Sequence, residues 1–250
     1  MTGPPMHDQK TKDRVVAIDM IRGIAIFGVV LFHLVWDLAF LGMIPAPWVS
    51  SPLWIAFGRT LAGTFMVLVG ISFALAARNK ILARPFLRRM GVITAAALAI
   101  TVVTRLTFPE AYVYFGILHA IVVATLVCAV LIRARPLFVI VLGITIVFIG
   151  NAVEISAFDP RHLAWIGFAA DPPFSNDFVP VFPWVGLSLI GLGAGRIIEA
   201  RSWFAFLAVP CVPLRTTLVF AGRWSLTIYL LHQPILLAIL VPLSWIVGRA

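Results

Sequence analysis

Apolar stretches long enough to cross a lipid bilayer constrain the fold of this chain more than any other feature. Seven are predicted, at about residues 18–41, 54–77, 90–107, 113–132, 136–153, 179–198 and 223–247. One bilayer crossing takes roughly 20 apolar residues. A helix pairs its backbone groups within the same segment, so it can cross lipid without closing into a barrel. Since 62% of residues are hydrophobic and 12% are charged, a soluble globule would lack the polar surface it needs. The sequence therefore predicts an all-α, polytopic membrane helix bundle with about seven transmembrane helices.

Positive charge alternates across the predicted loops, which is an independent check on the number of spans. Basic residues collect on one side, at Lys10, Lys12, Arg14, Arg22, Arg78, Lys80, Arg84, Arg88, Arg89, Arg133, Arg135, Arg196, Arg201, Arg215 and Arg223. The connection 154–178 on the other side is acidic, and Arg161 is its only strong base. By the positive-inside rule, the N-terminus is cytoplasmic and the C-terminus faces out. The net charge of +9 is thus attributed to membrane orientation, and no nucleic-acid partner is expected.

A single domain is expected to occupy nearly the whole chain. Residues 1–16 are predicted to be a cytoplasmic tail, and residues 17–250 to be one transmembrane domain. Neither 154–178 nor 202–214 is long enough for a separate domain. The two cysteines make neither a disulfide framework nor a CxxC motif, so no metal is expected. Four small residues should let the sixth span pack closely on its neighbours, namely Gly186, Gly191, Gly193 and Gly195.

Ionisable residues on the first span lie where the membrane makes them costly, which marks them as candidates for function. Asp19, Arg22, His33 and Asp37 fall within roughly a 60° sector of one helix. His33 lies about 16 Å beyond Arg22, near mid-membrane. The i, i+4 spacing lets Asp37 approach the His33 ring, where it could hold one tautomer and raise the basicity of the other nitrogen. The alternative is a hydrogen-bonded pair that only holds helices together.

Other spans bring polar side chains to similar depths. Arg59 lies about six residues into the second span and can snorkel only partly, so it could pair with Asp37, bind a substrate anion or stabilise a developing oxyanion. His119 in the fourth span and His232 in the seventh lie at comparable depths. Three histidines at matched depth predict a shared cavity inside the bundle. Arg84, Arg88 and Arg89 are mainly topology determinants that, with Arg22 and Arg223, could also contact a phosphate-rich ligand.

Five motifs, spread over nearly the whole chain, carry a family resemblance. They are Arg14-Val-Val-Ala-Ile-Asp19-Met-Ile-Arg22-Gly23-Ile-Ala running into Val30-Leu-Phe-His33, Phe65-Met-Val-Leu-Val-Gly70-Ile-Ser72, Tyr114-Phe-Gly-Ile-Leu-His119, Asp177-Phe-Val-Pro180-Val-Phe-Pro183-Trp184, and Gly222-Arg223-Trp-Ser225-Leu-Thr-Ile-Tyr229-Leu-Leu-His232-Gln233-Pro234. The chain resembles bacterial relatives of the heparan-alpha-glucosaminide N-acetyltransferase catalytic domain. More distantly, it resembles the membrane O-acyltransferases that decorate bacterial surface sugars.

The resemblance implies transfer of an acetyl group from cytoplasmic acetyl-CoA to an amine or hydroxyl of an extracytoplasmic sugar, in a bacterial cytoplasmic (inner) membrane. CoA is expected at the basic rim, with contacts from Arg22, Arg88, Arg89, Arg223 and Ser225. His33 is expected to act as general base, or as transient acyl carrier, with Asp37 orienting it. The expected oxyanion or substrate contacts are Arg59, His119, His232, Tyr229 and Trp184.

Lysosomal members are described with a catalytic histidine somewhat beyond the first helix, whereas residues 38–58 here contain none. The expected role of His33 instead follows the surface-sugar acyltransferases, in which a histidine closes the first-helix motif.

Two other functions remain open from the sequence. Paired histidines on facing helices are ligands of b-type haem, which would make the chain a membrane cytochrome. Buried His and Asp also carry protons in proton-coupled transporters and in exporters of small or lipid-linked sugars. Broken helices and inverted repeats would favour a transporter, but the chain has one mid-span proline, Pro234, and no repeat. The acceptor, the acyl group and the oligomeric state, a homodimer included, are left open.

Overall fold

The computed structural model describes residues 16–77, 83–201 and 213–247, and helices dominate this part of the chain. The α-helices are α1 (Val16–Phe40), α2 (Pro52–Ala76), α3 (Ala83–Thr107), α4 (Ile117–Leu131), α5 (Pro136–Ala152), α6 (Arg161–Ala164), α7 (Val181–Ala200), α8 (Arg215–Arg223) and α9 (Ser225–Val247). Short 3-10 helices cover Ala46–Trp48 and Ser156–Phe158. The predicted tail 1–16 apart from Val16, and also Arg78, Lys80 and 202–212, lie outside the described residues.

Five helices in the described ranges are long and apolar enough to cross a membrane, namely α1, α2, α3, α7 and α9. The apolar helices α4 and α5 are shorter, at 15 and 17 residues. Each of the seven predicted spans corresponds to one of these seven helices. The prediction of a polytopic helical membrane bundle is therefore confirmed.

Two helix starts differ from the sequence prediction, and one short helix is additional. α3 begins at Ala83 rather than near 90. The arginines before residue 90 interrupt the apolar stretch, but arginine has a high helix propensity, so the helix includes them. α4 begins at Ile117 rather than near 113, because Phe115 forms a parallel bridge with Phe178. The bridge is closed by the Val179 N–H, which donates to the Phe115 carbonyl at 3.1 Å. The short helix α8 was not predicted.

Side-chain contacts tie the helix ends together at both ends of the bundle. At the basic end, where α1, α3 and α9 begin, Arg22 Nη2 donates to Ser72 Oγ at 2.8 Å. Arg196 also donates there to the Ala134 carbonyl. At the opposite end, called the loop end because it carries the 153–180 connection, Arg161 Nη2 donates to the Glu110 carbonyl at 2.7 Å.

α7 packs along both α2 and α5, and its glycines make this contact close. A Cβ on Gly191 would collide with the Val67 carbonyl, and one on Gly186 would lie 2.5 Å from the Gly143 carbonyl. A Cβ on Gly195 would lie 2.9 Å from the Ala74 Cβ. The predicted close packing of the sixth span is confirmed.

A second group of helices consists of α1, α8 and α9. α8 lies against the first turns of α1, where a Cβ on Gly222 would collide with the Asp19 carbonyl and one on Gly23 with the Leu218 carbonyl. This approach brings Arg223, at the end of α8, to the start of α1. The two groups of helices face each other across a cavity.

Candidate functional site

A partly open cavity of about 1480 Å³ is lined by α1, α2, the first turns of α3, α4 and α7, the end of α8 and the start of α9. Nine of the twelve predicted site residues line it: Arg22, His33, Arg59, Arg88, Arg89, Trp184, Arg223, Ser225 and Tyr229. Asn176 and Asp177, from the long connection, line it as well, so the cavity extends from the basic end to the loop end. Its volume exceeds the roughly 300–1,000 Å³ of a typical small-molecule site.

Asp19 organises the basic end of the cavity. Its carboxylate is 3% exposed and pairs with Arg22, whose Nη1 lies 3.0 Å from Oδ1. Arg223 Nε lies 3.5 Å from Oδ2 of the same carboxylate. One buried acid therefore holds two guanidinium groups at the mouth of the cavity.

Three further arginines on the first two turns of α3 line the same end. Arg84, Arg88 and Arg89 are exposed, and none of them makes a hydrogen bond or ion pair within the described residues. Guanidinium groups with unused donors suit phosphate recognition. Arg84 was not among the predicted site residues, although its i, i+4 spacing to Arg88 placed it on the same helix face.

His33 faces the cavity and contacts a second histidine. Its ring centroid lies 4.8 Å from that of His232, and the planes are tilted by 59°. His232 is buried and does not line the cavity. Its Nδ1 lies 2.7 Å from the Tyr229 carbonyl, and because a carbonyl only accepts, Nδ1 carries the proton and Nε2 of the neutral ring is an acceptor. That Nε2 is buried without a hydrogen-bond partner among the described residues.

Asp37 is fully buried next to α9 rather than exposed to the cavity. Its Oδ1 accepts a hydrogen bond from Gln233 Nε2 at 2.7 Å, and no hydrogen bond joins it to His33 within the described residues. Asp37 Oδ2 and Gln233 Oε1 are buried and have no partner there. The described contact joins α1 to α9, and the spacing along α1 could not reveal this partner.

His119 also lies outside the cavity lining. Its Nδ1 accepts from the Gly116 N–H at 3.2 Å, and its Nε2 lies 3.3 Å from Thr101 Oγ1. The Thr101 hydroxyl donates to the Val113 carbonyl, so it accepts from His119. Because α4 begins at Ile117, His119 lies in the first turn and folds back on the helix start. The predicted meeting of three histidines thus involves only two.

Asp177 lines the cavity, although it was not among the site residues predicted from the sequence. Its Oδ2 accepts from the Ile117 N–H at 2.9 Å and from Tyr229 Oη at 3.1 Å. Burial raises the pKa of this carboxyl above its ordinary value, and the two hydrogen bonds oppose that shift. Asp177 caps the start of α4 although α4 lies 60 residues away in the sequence, so no local pattern could identify this role.

Arg59 and Trp184 complete the loop end of the cavity. Arg59 is exposed and forms no ion pair within the described residues, and its suggested partner Asp37 is bound to Gln233. Trp184 lies in the first turn of α7. A guanidinium, a carboxylate and an aromatic ring therefore line this end together.

A family model described as heparan-alpha-glucosaminide N-acetyltransferase, catalytic, matches residues 14–234. The matched range includes every residue that lines the cavity. No curated protein matches the chain, and no solved structure does either.

Proposed function

Because the chain belongs to the heparan-alpha-glucosaminide N-acetyltransferase catalytic family, and is a membrane acyltransferase on that basis, we propose that it transfers an acetyl group from acetyl-CoA to an amine or hydroxyl of an extracytoplasmic sugar. One observation carries the proposal. A single cavity has a cluster of arginines at one end, a carboxylate and an aromatic ring at the other, and His33 on its wall.

The basic end suits the donor. Acetyl-CoA carries its phosphates at one end of a long, thin arm and its thioester at the other, so Arg84, Arg88 and Arg89 would bind the phosphates. Arg223 and Ser225 line the same mouth. His33 lies about 16 Å further along α1 than Arg22, in the direction in which the arm would extend. The positive-inside rule assigns this end to the cytoplasm, where acetyl-CoA is available.

The loop end suits the acceptor. Asn176 and Asp177 offer an amide and a carboxylate to sugar hydroxyls or to an amine, and Trp184 offers an apolar face to a sugar ring. This end belongs to the side that carries the acidic 154–178 connection. The donor and acceptor would therefore meet in the cavity without CoA crossing the membrane.

His33 is the proposed general base. In the reaction, one ring nitrogen of His33 takes the proton of the acceptor hydroxyl or amine while the acceptor oxygen or nitrogen bonds to the thioester carbonyl carbon. The carbon–sulfur bond then breaks, and the CoA thiolate receives that proton from His33. No net proton is released. Arg59 is the proposed donor to the oxyanion that forms between these steps.

Direct contact between the His33 and His232 rings argues against the membrane cytochrome, because a haem held by this pair needs the macrocycle between the two rings. The alternative of a proton-coupled transporter or sugar exporter is distinguished by whether sugar or protons move without acetyl transfer.

The proposal is tested with purified protein in sealed vesicles. Acetyl-CoA labelled in the acetyl group is added on the basic side, and an amino sugar or a neutral sugar is enclosed on the other. We expect labelled acetyl-sugar inside and an equal amount of free CoA thiol outside. Movement of sugar or protons without acetyl transfer would make the protein a transporter, and no transfer to either class of sugar would contradict the proposal.

A paired variant tests the donor end separately. Arg88→Gln with Arg89→Gln should raise the KM for acetyl-CoA about tenfold, because each charge-assisted hydrogen bond to a phosphate is worth roughly 1.5–3 kcal/mol before solvent screening. The KM for the sugar should stay unchanged. Arg133→Gln is the matched control, because Arg133 is exposed but does not line the cavity. Equal effects of the two changes would contradict this assignment.

A further inference from the structure

We infer that His232 is a positioning residue for His33. In this arrangement one ring N–H of His33 donates a hydrogen bond to His232 Nε2. The other ring nitrogen of His33 is therefore unprotonated and faces the cavity. This inference rests on the proposed function, in which His33 is the base. It replaces the role expected for His232 from the sequence, a contact to the oxyanion or to the substrate.

The starting observation is an acceptor without a partner. The His232 side chain is 7% exposed, and its Nε2 has no hydrogen-bond partner among the described residues. The other nitrogen, Nδ1, is committed to the Tyr229 carbonyl at 2.7 Å. An acceptor buried without a donor is costly. His232 cannot shift its proton from Nδ1 to Nε2, because the Tyr229 carbonyl only accepts and would then lose its hydrogen bond.

The neighbours of His232 leave His33 as the donor. Two rings contact His232, those of Tyr229 at 5.6 Å and of His33 at 4.8 Å between centroids. The Tyr229 hydroxyl already donates to Asp177, and the adjacent Gln233 amide donates to Asp37. His33 lines the cavity and, within the described residues, makes no hydrogen bond through its ring. The rings are in contact but form no hydrogen bond of normal length; catalytic hydrogen bonds are commonly long before substrate binds, and a long one already favours the tautomer of His33 that donates to His232.

A chain of two hydrogen bonds follows from this arrangement. The Tyr229 carbonyl accepts from His232 Nδ1, and His232 Nε2 accepts from one nitrogen of His33. The second nitrogen of His33 then keeps its lone pair towards the cavity. Tautomer selection by a partner is the role of the acid in a Ser-His-Asp triad, but a neutral imidazole suits the membrane interior better because an ionised carboxylate is costly there.

The test reads the tautomer of His33 directly. Protein labelled with ¹⁵N-histidine is placed in lipid nanodiscs, and the His33 signals are assigned by their loss in His33→Ala. We expect one neutral tautomer of His33 in the wild type, a mixture of both in His232→Leu, and one tautomer again in His232→Gln, whose amide oxygen can accept. His119→Gln is the matched control and should leave the His33 signals unchanged.

Kinetics provide a second readout. His232→Leu should lower kcat about 10- to 100-fold and leave the KM for acetyl-CoA unchanged, and His232→Gln should recover most of the loss. A wild-type spectrum with both tautomers of His33, or one tautomer persisting in His232→Leu, would overturn the inference. The wild-type spectrum decides the matter even if His232→Leu fails to fold. Absence of acetyl transfer by the wild type would contradict only the proposed function, since the tautomer is measured without substrate.

Discussion

The contact of α7 with α2 and α5 and the space between α1 and α2 are built from similar apolar helices but have opposite interiors. Along α7, glycines allow close contact between helix backbones. Polar side chains there are hydrogen-bonded within the protein, as in Ser188, whose Oγ donates to the Met66 carbonyl at 2.8 Å. Between α1 and α2, larger side chains surround a cavity of about 1480 Å³. His33, Arg59 and Arg88 face open space there.

This difference teaches that polarity at membrane depth does not by itself identify a catalytic residue. His119 and His33 were predicted at similar depths, yet both ring nitrogens of His119 have partners within the protein. The distinguishing property of His33 is its access to a cavity that is also lined by arginines.

His33→Ala should reduce kcat for acetyl transfer by about 10²–10⁴-fold, the usual contribution of a general base. His119→Ala should leave kcat unchanged per folded molecule, because its ring holds Gly116 and Thr101 rather than substrate. The rates are measured in vesicles and normalised to the monodisperse fraction on gel filtration. Similar losses in the two variants would abolish the distinction between the histidines.

Gly191→Ala should destabilise the protein by about 3 kcal/mol, because its Cβ would collide with the Val67 carbonyl and overpacking separates α2 from α7. Gly91→Ala is the control. Gly91 lies in α3 with no atom within 4 Å of an added Cβ, so it should gain up to about 1 kcal/mol of helix stability. Denaturant unfolding in mild detergent measures both, and equal stabilities would show that the α2–α7 contact is not close-packed.

Asp37→Ala should lower the free energy of unfolding by about 1–2 kcal/mol, because it leaves the half-buried Gln233 amide without its acceptor. Asp37→Asn should be nearly neutral, since Asn can accept from Gln233 Nε2 and donate to the unpaired Oε1. It should also keep kcat. A large loss of kcat in a stable Asp37→Asn protein would instead support the expectation that Asp37 orients His33.

Asp177→Asn should flatten the pH dependence of thermal unfolding. Burial raises the pKa of Asp177 above its ordinary value of 3.8, so the unfolded chain loses this proton at lower pH than the folded chain. The stability that this group contributes is complete below about pH 3.8 and is lost as the pH rises through the folded-state pKa.

Asn stays neutral and can accept both hydrogen bonds, so Asp177→Asn should gain unfolding temperature relative to the wild type as the pH rises from about 4 to 7. A difference that shrinks over that range would contradict the buried placement of Asp177.

Local patterns were sufficient for much of the fold and part of the site. Apolar length predicted the seven helices, and the glycines of α7 predicted its close packing. The helical period predicted that Arg22 and His33 share a face of α1. Each of these properties depends on residues a few positions apart, or on the preference of a stretch for lipid over water.

Pairing between distant segments could not be deduced in this way. Gln233 binds Asp37 across 196 positions and Tyr229 binds Asp177 across 52, and such choices depend on how helices are rotated and arranged. Hydropathy and periodicity are local properties, so the amino-acid sequence was enough to identify a helical membrane protein with ionisable residues in its apolar spans. The contact of His33 with His232 beside a cavity, and the use of His119 in hydrogen bonds to Gly116 and Thr101, became visible in the folded protein. The physical reason is that the packing of helices determines which side chains become neighbours.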